Sequence, residues 1–325
     1  MISAQRFPND FDGIIAGAPA ANYSGLKFSQ AWRTQAISQS TLTEAKVATL
    51  GKVIYQACDP LDGSADGLIS DPRRCDFIPS RDLPICSAQE ELSSSCFSRS
   101  EIKALEKYYD PVKINEQVVY PAMPVGSEVL SSDAPSARVG WFPWLINANG
   151  RTLFDALGSD FFRYMVTIKD DPTFDWKNFS FETNPDNLDE FRAIVDAIDP
   201  DLSKFRDGGG KLLSYFGWAD PDINPLTLIN YHERVKSIDP SVNDYFRVFL
   251  VPGMFHCGGG PGPDSFDMMS PLIDWVEREI SPKSIPAWKE IEGKMLYSRP
   301  LCAYPEEALP SKKGFQCGVP SDLSY

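Results

Sequence analysis

Apolar residues along this chain fall into two regimes. Near the N-terminus "FDGIIAGAP" is a short apolar run closed by Gly and Pro, which predicts a buried strand, and "AKVATLGKVIYQAC" (45–58) has the spacing of an amphipathic helix. Later, "LDEFRAIVDAI" predicts a helix, "GGGKLLSYFGWADPDI" a Gly-led strand running into an acidic loop, and "DYFRVFLVPGMFHC" a second strand running into a histidine loop. "SPLIDWVEREI" (270–280) predicts a closing helix. Between Cys58 and about residue 190 the pattern breaks into Pro-, Ser- and Asp-rich loops, with Trp141, Trp144, Phe161, Phe162, Phe174 and Trp176 scattered through them. These two textures predict an α/β core made of 1–57 and 191–325, interrupted by an irregular inserted cap over 58–190. No internal repeat or low-complexity tract interrupts either.

Composition narrows the class. With 325 residues, 42% of them hydrophobic and 12% aromatic, the chain can bury a large core. A formal net charge of −14 argues against nucleic acid and against an anionic membrane as partners, and favours an uncharged or weakly charged small substrate. No apolar stretch reaches the roughly 18 residues that span a bilayer. Asp10 and Asp12 precede the first apolar run, so the start is neither a membrane helix nor a signal peptide.

Seven cysteines are an odd number, and Cys58, Cys75, Cys86 and Cys96 crowd into one loop-rich stretch. That density predicts disulfides and an oxidising compartment, while four cysteines leave three connectivities open. Asn22 (N-Y-S) and Asn178 (N-F-S) are glycosylation sequons consistent with secretion. Secretion without a signal peptide predicts that an N-terminal segment is missing.

Two predicted strands each end in a loop carrying a residue capable of catalysis. Open α/β sheets place their sites at the carboxyl ends of strands, and Asp220 and His256 occupy such positions. Acid followed by histidine is the chain order of α/β-hydrolase triads, in which a serine on a sharp elbow comes first. Taken singly, Asp220 is an ordinary turn residue before Pro221 and His256 an ordinary loop histidine; their placement after consecutive strands argues for chemistry. No serine has glycine at both −2 and +2: Ser64 lies in an Asp-rich loop, and Ser127 in "PVGSEV" lacks a strand-turn-helix context. His232 in "LINYHERV" lies on a predicted helix, as a surface or capping residue.

"CDPLDGSADGLISDPRRC" sets Asp59, Asp62 and Asp66 within eight residues, with Gly63 and Gly67 allowing tight turns. Calcium takes six to eight hard oxygens, which such a loop supplies, although the spacing is not that of an EF-hand. On spacing alone, a solvated acidic turn and a metal loop are equal readings.

Five blocks in order, "AQRFPNDFDGIIAGAPA", "CDPLDGSADGLISDPRRC", "YPAMPVGSE", "GGKLLSYFGWADPDI" and "VPGMFHCGGGPGP", make most of the chain resemble the tannase and feruloyl esterase family of secreted carboxylic ester hydrolases. In that family the AQRFP-like block directly follows a Gly-Cys-Ser-x-Gly-Gly nucleophile elbow. The resemblance therefore implies an α/β-hydrolase core whose N-terminal strands and elbow lie before Met1. It implies Asp220 as triad acid and His256 as base. It also implies that Cys257 matches the cysteine that family members join to the one preceding the serine, so that its partner is lost with the elbow. It further implies calcium held by the carboxylates of Asp59, Asp62 and Asp66 and the main-chain carbonyls of Ser64 and Leu68, with disulfides Cys58–Cys75, Cys86–Cys96 and Cys302–Cys317. The expected activity is cleavage of hydroxycinnamoyl or galloyl esters, small or in plant cell walls, through a serine acyl-enzyme, with the chain as written inactive for want of its serine. The alternative is a non-catalytic, calcium-stabilised fragment or binding protein. The aromatics Trp141, Phe142 and Trp144 line an acyl pocket or form the cap's own core.

Overall fold

The computed structural model describes residues 1–38, 40–87, 93–128, 140–146, 152–166, 170–182, 188–312 and 314–320. The chain opens with helix α1 (Ile2–Arg6), strand β1 (Gly13–Gly17) and two long helices, α2 (Tyr23–Ser38) and α3 (Glu44–Cys58). The irregular stretch then holds α4 (Pro79–Asp82), α5 (Arg99–Tyr109), the hairpin β2 (Val112–Ile114) and β3 (Gln117–Tyr120), and the helices α6 (Trp141–Trp144) and α7 (Leu153–Tyr164). Helices α8 (Leu188–Val195) and α9 (Ser203–Asp207) lead to β4 (Lys211–Gly217), α10 (Leu226–Ile238) and β5 (Phe246–Val251). Every element expected from the apolar pattern is present at its expected place.

Strands β1, β4 and β5 form a parallel sheet in the order β1-β4-β5, with Gly13 opposite Lys211 and Leu212 opposite Phe246. The unbroken apolar runs have a simple cause: both faces of the sheet are covered. Leu212, Phe216, Phe246 and Val248 face one hydrophobic cluster. Leu213, Phe249 and Val251 face another, capped by Leu272 and Trp275 of helix α11 (Met269–Arg278). After the sheet come short strands that the apolar pattern does not reveal. These are β6 (Ser265–Phe266), β7 (Ser284–Ile285), β8 (Ala287–Ile291), β9 (Lys294–Ser298), β10 (Leu301–Cys302), β11 (Glu307–Ser311) and β12 (Gly314–Gly318). They pair as β6-β8-β9, β10-β7 and β11-β12.

The expected boundary after residue 57 runs through continuous structure. Helix α3 passes without a break into a 3-10 turn over Asp59–Asp62, and one hydrophobic cluster holds Phe28 and Ala31 of α2 together with Leu105 of α5 and Phe154, Phe161 and Phe162 of α7. Helix α2 is the hub of this packing, touching α5, α7, α8 and β3. It is buried nearly all round, Lys27, Ser29, Gln30, Arg33 and Thr34 included.

The three expected disulfides are all formed, Cys58–Cys75, Cys86–Cys96 and Cys302–Cys317, and Cys257 is free and exposed. Two smaller expectations resolve differently. His232 does lie on a helix, α10, but it is buried rather than superficial: its ring packs 5.2 Å from Phe246 and 5.6 Å from Tyr304, and Nε2 meets Asn243 Oδ1 at 3.2 Å. Burial pushes its pKa down. Of the two sequons, Asn178 is exposed, whereas Asn22 is half-buried, its Oδ1 accepting from Gly25 N and its Nδ2 donating to Val119 O.

Candidate active site

The loops leaving β4 and β5 are laced together before either functional side chain appears. Trp218 N donates to Val251 O at 2.9 Å and Ala219 N to Met254 O at 3.1 Å. At Gly217 a Cβ would stand 2.2 Å from Met254 O, so only glycine lets the two backbones approach this closely. Gly253 takes a φ of +66°, which turns the second loop back toward the first.

This places Asp220 and His256 side by side at the carboxyl end of the sheet. Asp220 is buried, 1% exposed. Its Oδ1 accepts from the backbone N–H groups of Asp222 and Ile223, both at 2.9 Å, and its Oδ2 lies 2.8 Å from His256 Nδ1. A carboxylate at Nδ1 assigns the ring proton there and leaves Nε2 as the basic nitrogen. The His256 side chain is 30% exposed, so part of it reaches solvent. Its pKa is pushed up to about 11, first by the hydrogen bond to Asp220 and next by Cys257, whose Sγ lies 4.0 Å from Nδ1. Stabilising the imidazolium is what the acid of a triad does once the histidine has taken a proton. Among the described residues no serine hydroxyl bonds to His256.

The cap aromatics divide. Trp141 belongs to the interior of the cap, 1% exposed, with its ring 4.1 Å from Tyr108 and Nε1 donating to Ser127 Oγ at 3.1 Å. Phe142 is buried as well. Trp144, half-buried, meets the His256 ring edge-on at 5.7 Å and so forms a wall of the site.

Among the described residues the Asp59 to Leu68 loop makes no hydrogen bond to this pair, though Leu68 packs against Gly253 of the histidine loop, and the loop's carboxylates are satisfied. Asp59 accepts from the backbone N–H groups of Asp66 and Gly67, Asp62 Oδ1 accepts from Ser64 N, and Asp66 Oδ1 from Leu68 N. Arg299, 1% exposed, reaches Asp66 Oδ2 at 3.0 Å and Asp62 Oδ2 at 3.3 Å, and Ser70 Oγ also donates to Asp62. The donor set is all hard oxygen, which suits calcium, and a carboxylate oxygen bearing one hydrogen bond keeps a lone pair. Among the described residues, however, no three His, Cys, Asp or Glu side chains converge as a metal site. Any cation at this loop has to share Asp62 and Asp66 with the Arg299 guanidinium.

Sequence reasoning missed the residues behind Asp220. Arg33 and Gln30 of α2 reach Pro221 and Asp222, 188 and 192 residues away, and no periodicity marks them because α2 buries polar and apolar side chains alike.

A parallel α/β sheet with an aspartate–histidine pair at its carboxyl edge defines the α/β-hydrolase class. Within that class the chain belongs to the tannase and feruloyl esterase family, whose sequence profile matches residues 1–319. It is 29% identical to mono(2-hydroxyethyl) terephthalate hydrolase of Piscinibacter sakaiensis over 98% of this chain and 62% of that protein. It is 31% identical to a probable feruloyl esterase B-2 of Aspergillus terreus over 93% of this chain and 59% of that protein. The fold superimposes on feruloyl esterase B from Aspergillus oryzae with a TM-score of 0.83 at 25% identity, covering 98% of this chain and 66% of that one. The chain thus spans about 60% of the length of these curated relatives. Among the described residues no helix is long and apolar enough to cross a membrane.

Proposed function

We propose that the protein is a carboxylic ester hydrolase acting on hydroxycinnamoyl or galloyl esters, with Asp220 as triad acid, His256 as base and the serine on a segment outside these 325 residues. The observation that carries this reading is the 2.8 Å contact between Asp220 Oδ2 and His256 Nδ1, which occupies one ring nitrogen and leaves Nε2 for proton transfer. In the proposed reaction, the serine Oγ attacks the ester carbonyl while Nε2 takes its proton, and the imidazolium then gives that proton to the departing alcohol. Water repeats the sequence on the acyl-enzyme: Nε2 takes a proton from water, the acid is released and the serine is restored. Trp144 beside the imidazole offers an aromatic wall to the acyl group, and the net charge of −14 favours an uncharged ester.

Two further parts belong to this reading. Asp59, Asp62 and Asp66, with the main-chain carbonyls of Ser64 and Leu68, are the residues that would hold calcium, in a structural role apart from the chemistry. Secretion is supported by three disulfides, which persist in oxidising compartments.

The test compares the 325 residues alone with a chain extended by the segment bearing the serine, each assayed on a feruloyl and a galloyl ester. Turnover by the extended chain only is the expected result. Equal turnover by the shorter one means that a nucleophile within it has been overlooked. No turnover by either favours a non-catalytic binding protein on the same fold.

A further inference from the structure

Arg33 is wholly buried, at 0% exposure, and placing a guanidinium there is costly unless it is paired or hydrogen-bonded. Its bonds are unusual in their target. Nε donates to Ser29 O on its own helix at 3.2 Å, while Nη1 donates to Pro221 O at 2.9 Å and Nη2 to Asp222 O at 2.7 Å. The nearest carboxylate oxygen, Asp222 Oδ1, is farther off at 3.8 Å and is bonded instead by Gln30 Nε2 at 2.8 Å. The charge is therefore directed mainly at two consecutive carbonyls.

Those carbonyls belong to the peptide units whose N–H groups are Asp222 N and Ile223 N. A trans peptide is planar, with C=O and N–H pointing to opposite sides. The same two units that Arg33 grips from behind therefore donate from the front to Asp220 Oδ1, both at 2.9 Å. Hydrogen bonds in series polarise one another, so a cation on the carbonyl side strengthens both donors. A second route joins Arg33 to the base. Its guanidinium lies 4.7 Å over the Phe154 ring, Phe154 packs 6.2 Å from Trp144, and Trp144 meets the His256 ring at 5.7 Å.

We propose that Arg33 is a positioning residue for the acid–base pair. It fixes the two peptide planes that orient the Asp220 carboxylate, and through Phe154 and Trp144 it ties that grip to the cap residue lying against His256. This rests on the reading of Asp220 and His256 as acid and base.

The chain has two histidines, so imidazole NMR resolves the matter: His256 reports on the pair and His232, on α10, reports that the fold is intact. Besides Asp220, the groups bearing on His256 are Cys257 and Asp222. In Arg33→Met the low-field Nδ1 proton of His256 should broaden or vanish, because the carboxylate that holds it is no longer fixed. Arg33→Lys, which keeps the charge but not the fork, should fall between Arg33→Met and the native protein. His232 should stay unchanged in both. Native-like His256 signals in Arg33→Met overturn the proposal. If Arg33→Met does not fold, Phe154→Leu decides: a faster-exchanging Nδ1 proton supports the link, and an unchanged one overturns it. Asp220→Asn is the control. If it too leaves His256 unmoved, the acid–base reading fails; if it moves His256 where the Arg33 variants do not, only the proposal fails.

Discussion

Asp220 and the carboxylates of the Asp59 to Leu68 loop are both held by backbone N–H groups, yet they are placed for different work. Asp220 gives one oxygen to two N–H donors and the other to a single imidazole, which it meets through Nδ1. Asp62 and Asp66 give their outer oxygens to Arg299, a cation that is itself buried and further held by Ala308 O. One arrangement ends in an imidazole with a second nitrogen that bonds no described residue; the other closes on a buried guanidinium. An acidic residue in a Gly-punctuated loop is thus no guide to chemistry until its partner is known, and a partner with an unused valence is what separates a reactive pair from a structural tie.

The comparison breaks most sharply if the two sets of carboxylates respond alike to substitution. On the proposed reading, Asp220→Asn and His256→Ala each lower ester turnover by the serine-containing chain on the order of 10⁴-fold, because triad members act as a unit. Near-normal rates in either variant would sink the assignment. Asp62→Ala should leave turnover almost untouched and act on stability instead. It removes one carboxylate from a buried guanidinium, a change that costs about 3 kcal/mol, visible as a lower denaturation midpoint. A chelator should lower the melting temperature as well if calcium binds there, since a ligand specific to the folded state stabilises it by mass action. A melting curve indifferent to both chelator and added calcium removes the metal from this loop.

What could be read from the sequence follows from how far each residue's partner lies along the chain. Strands β4 and β5 announce themselves because two-sided burial leaves "KLLSYFG" and "FRVFLV" almost free of polar residues, and Gly and Pro mark where their loops begin. Asp220 and His256 were therefore legible by position. The residues that support them were not. Arg33 and Gln30 sit on a helix whose polar side chains are buried by segments that arrive more than a hundred residues later, so α2 carries no stripe. Arg299 is hidden in the same way, 233 residues from Asp66. The C-terminal strands escape for a local reason: β6, β7 and β10 are two residues long, and β9 is largely exposed.

A pH experiment sharpens the contrast without touching turnover. The hydrogen bond to Asp220 holds the folded-state pKa of His256 above the ordinary value of 6.5. The folded state therefore binds the imidazole proton more tightly than the unfolded chain, and the stability this adds is whole below about 6.5 and drains away as pH rises through the raised value. Urea midpoints taken near pH 6 and near pH 9 should fall further for the native protein than for Asp220→Asn, which lacks the main cause of the shift. Equal falls would show that the contact between the two side chains carries no such linkage. The ring's partial exposure keeps the expected difference modest.

The smallest effect concerns a single thiol. The acidic loop is stapled by Cys58–Cys75, whereas Cys257, the next residue after His256, is unbridged, exposed and held at a φ of +62°. Its Sγ lies 4.0 Å from His256 Nδ1, close enough that any adduct would crowd the imidazole. Of the seven cysteines, one should therefore react with a thiol reagent in the native 325-residue protein, and the other six only after reduction. Labelling should perturb the His256 imidazole resonances and leave those of His232, buried on α10, in place. In a chain extended by the serine-bearing segment, the family resemblance implies a partner for Cys257, and the reactive thiol should disappear. A monomer of the shorter chain with no reactive thiol would contradict the exposed position of Cys257; an extended chain that still labels there would mean that the two ends of the site are not joined by a disulfide.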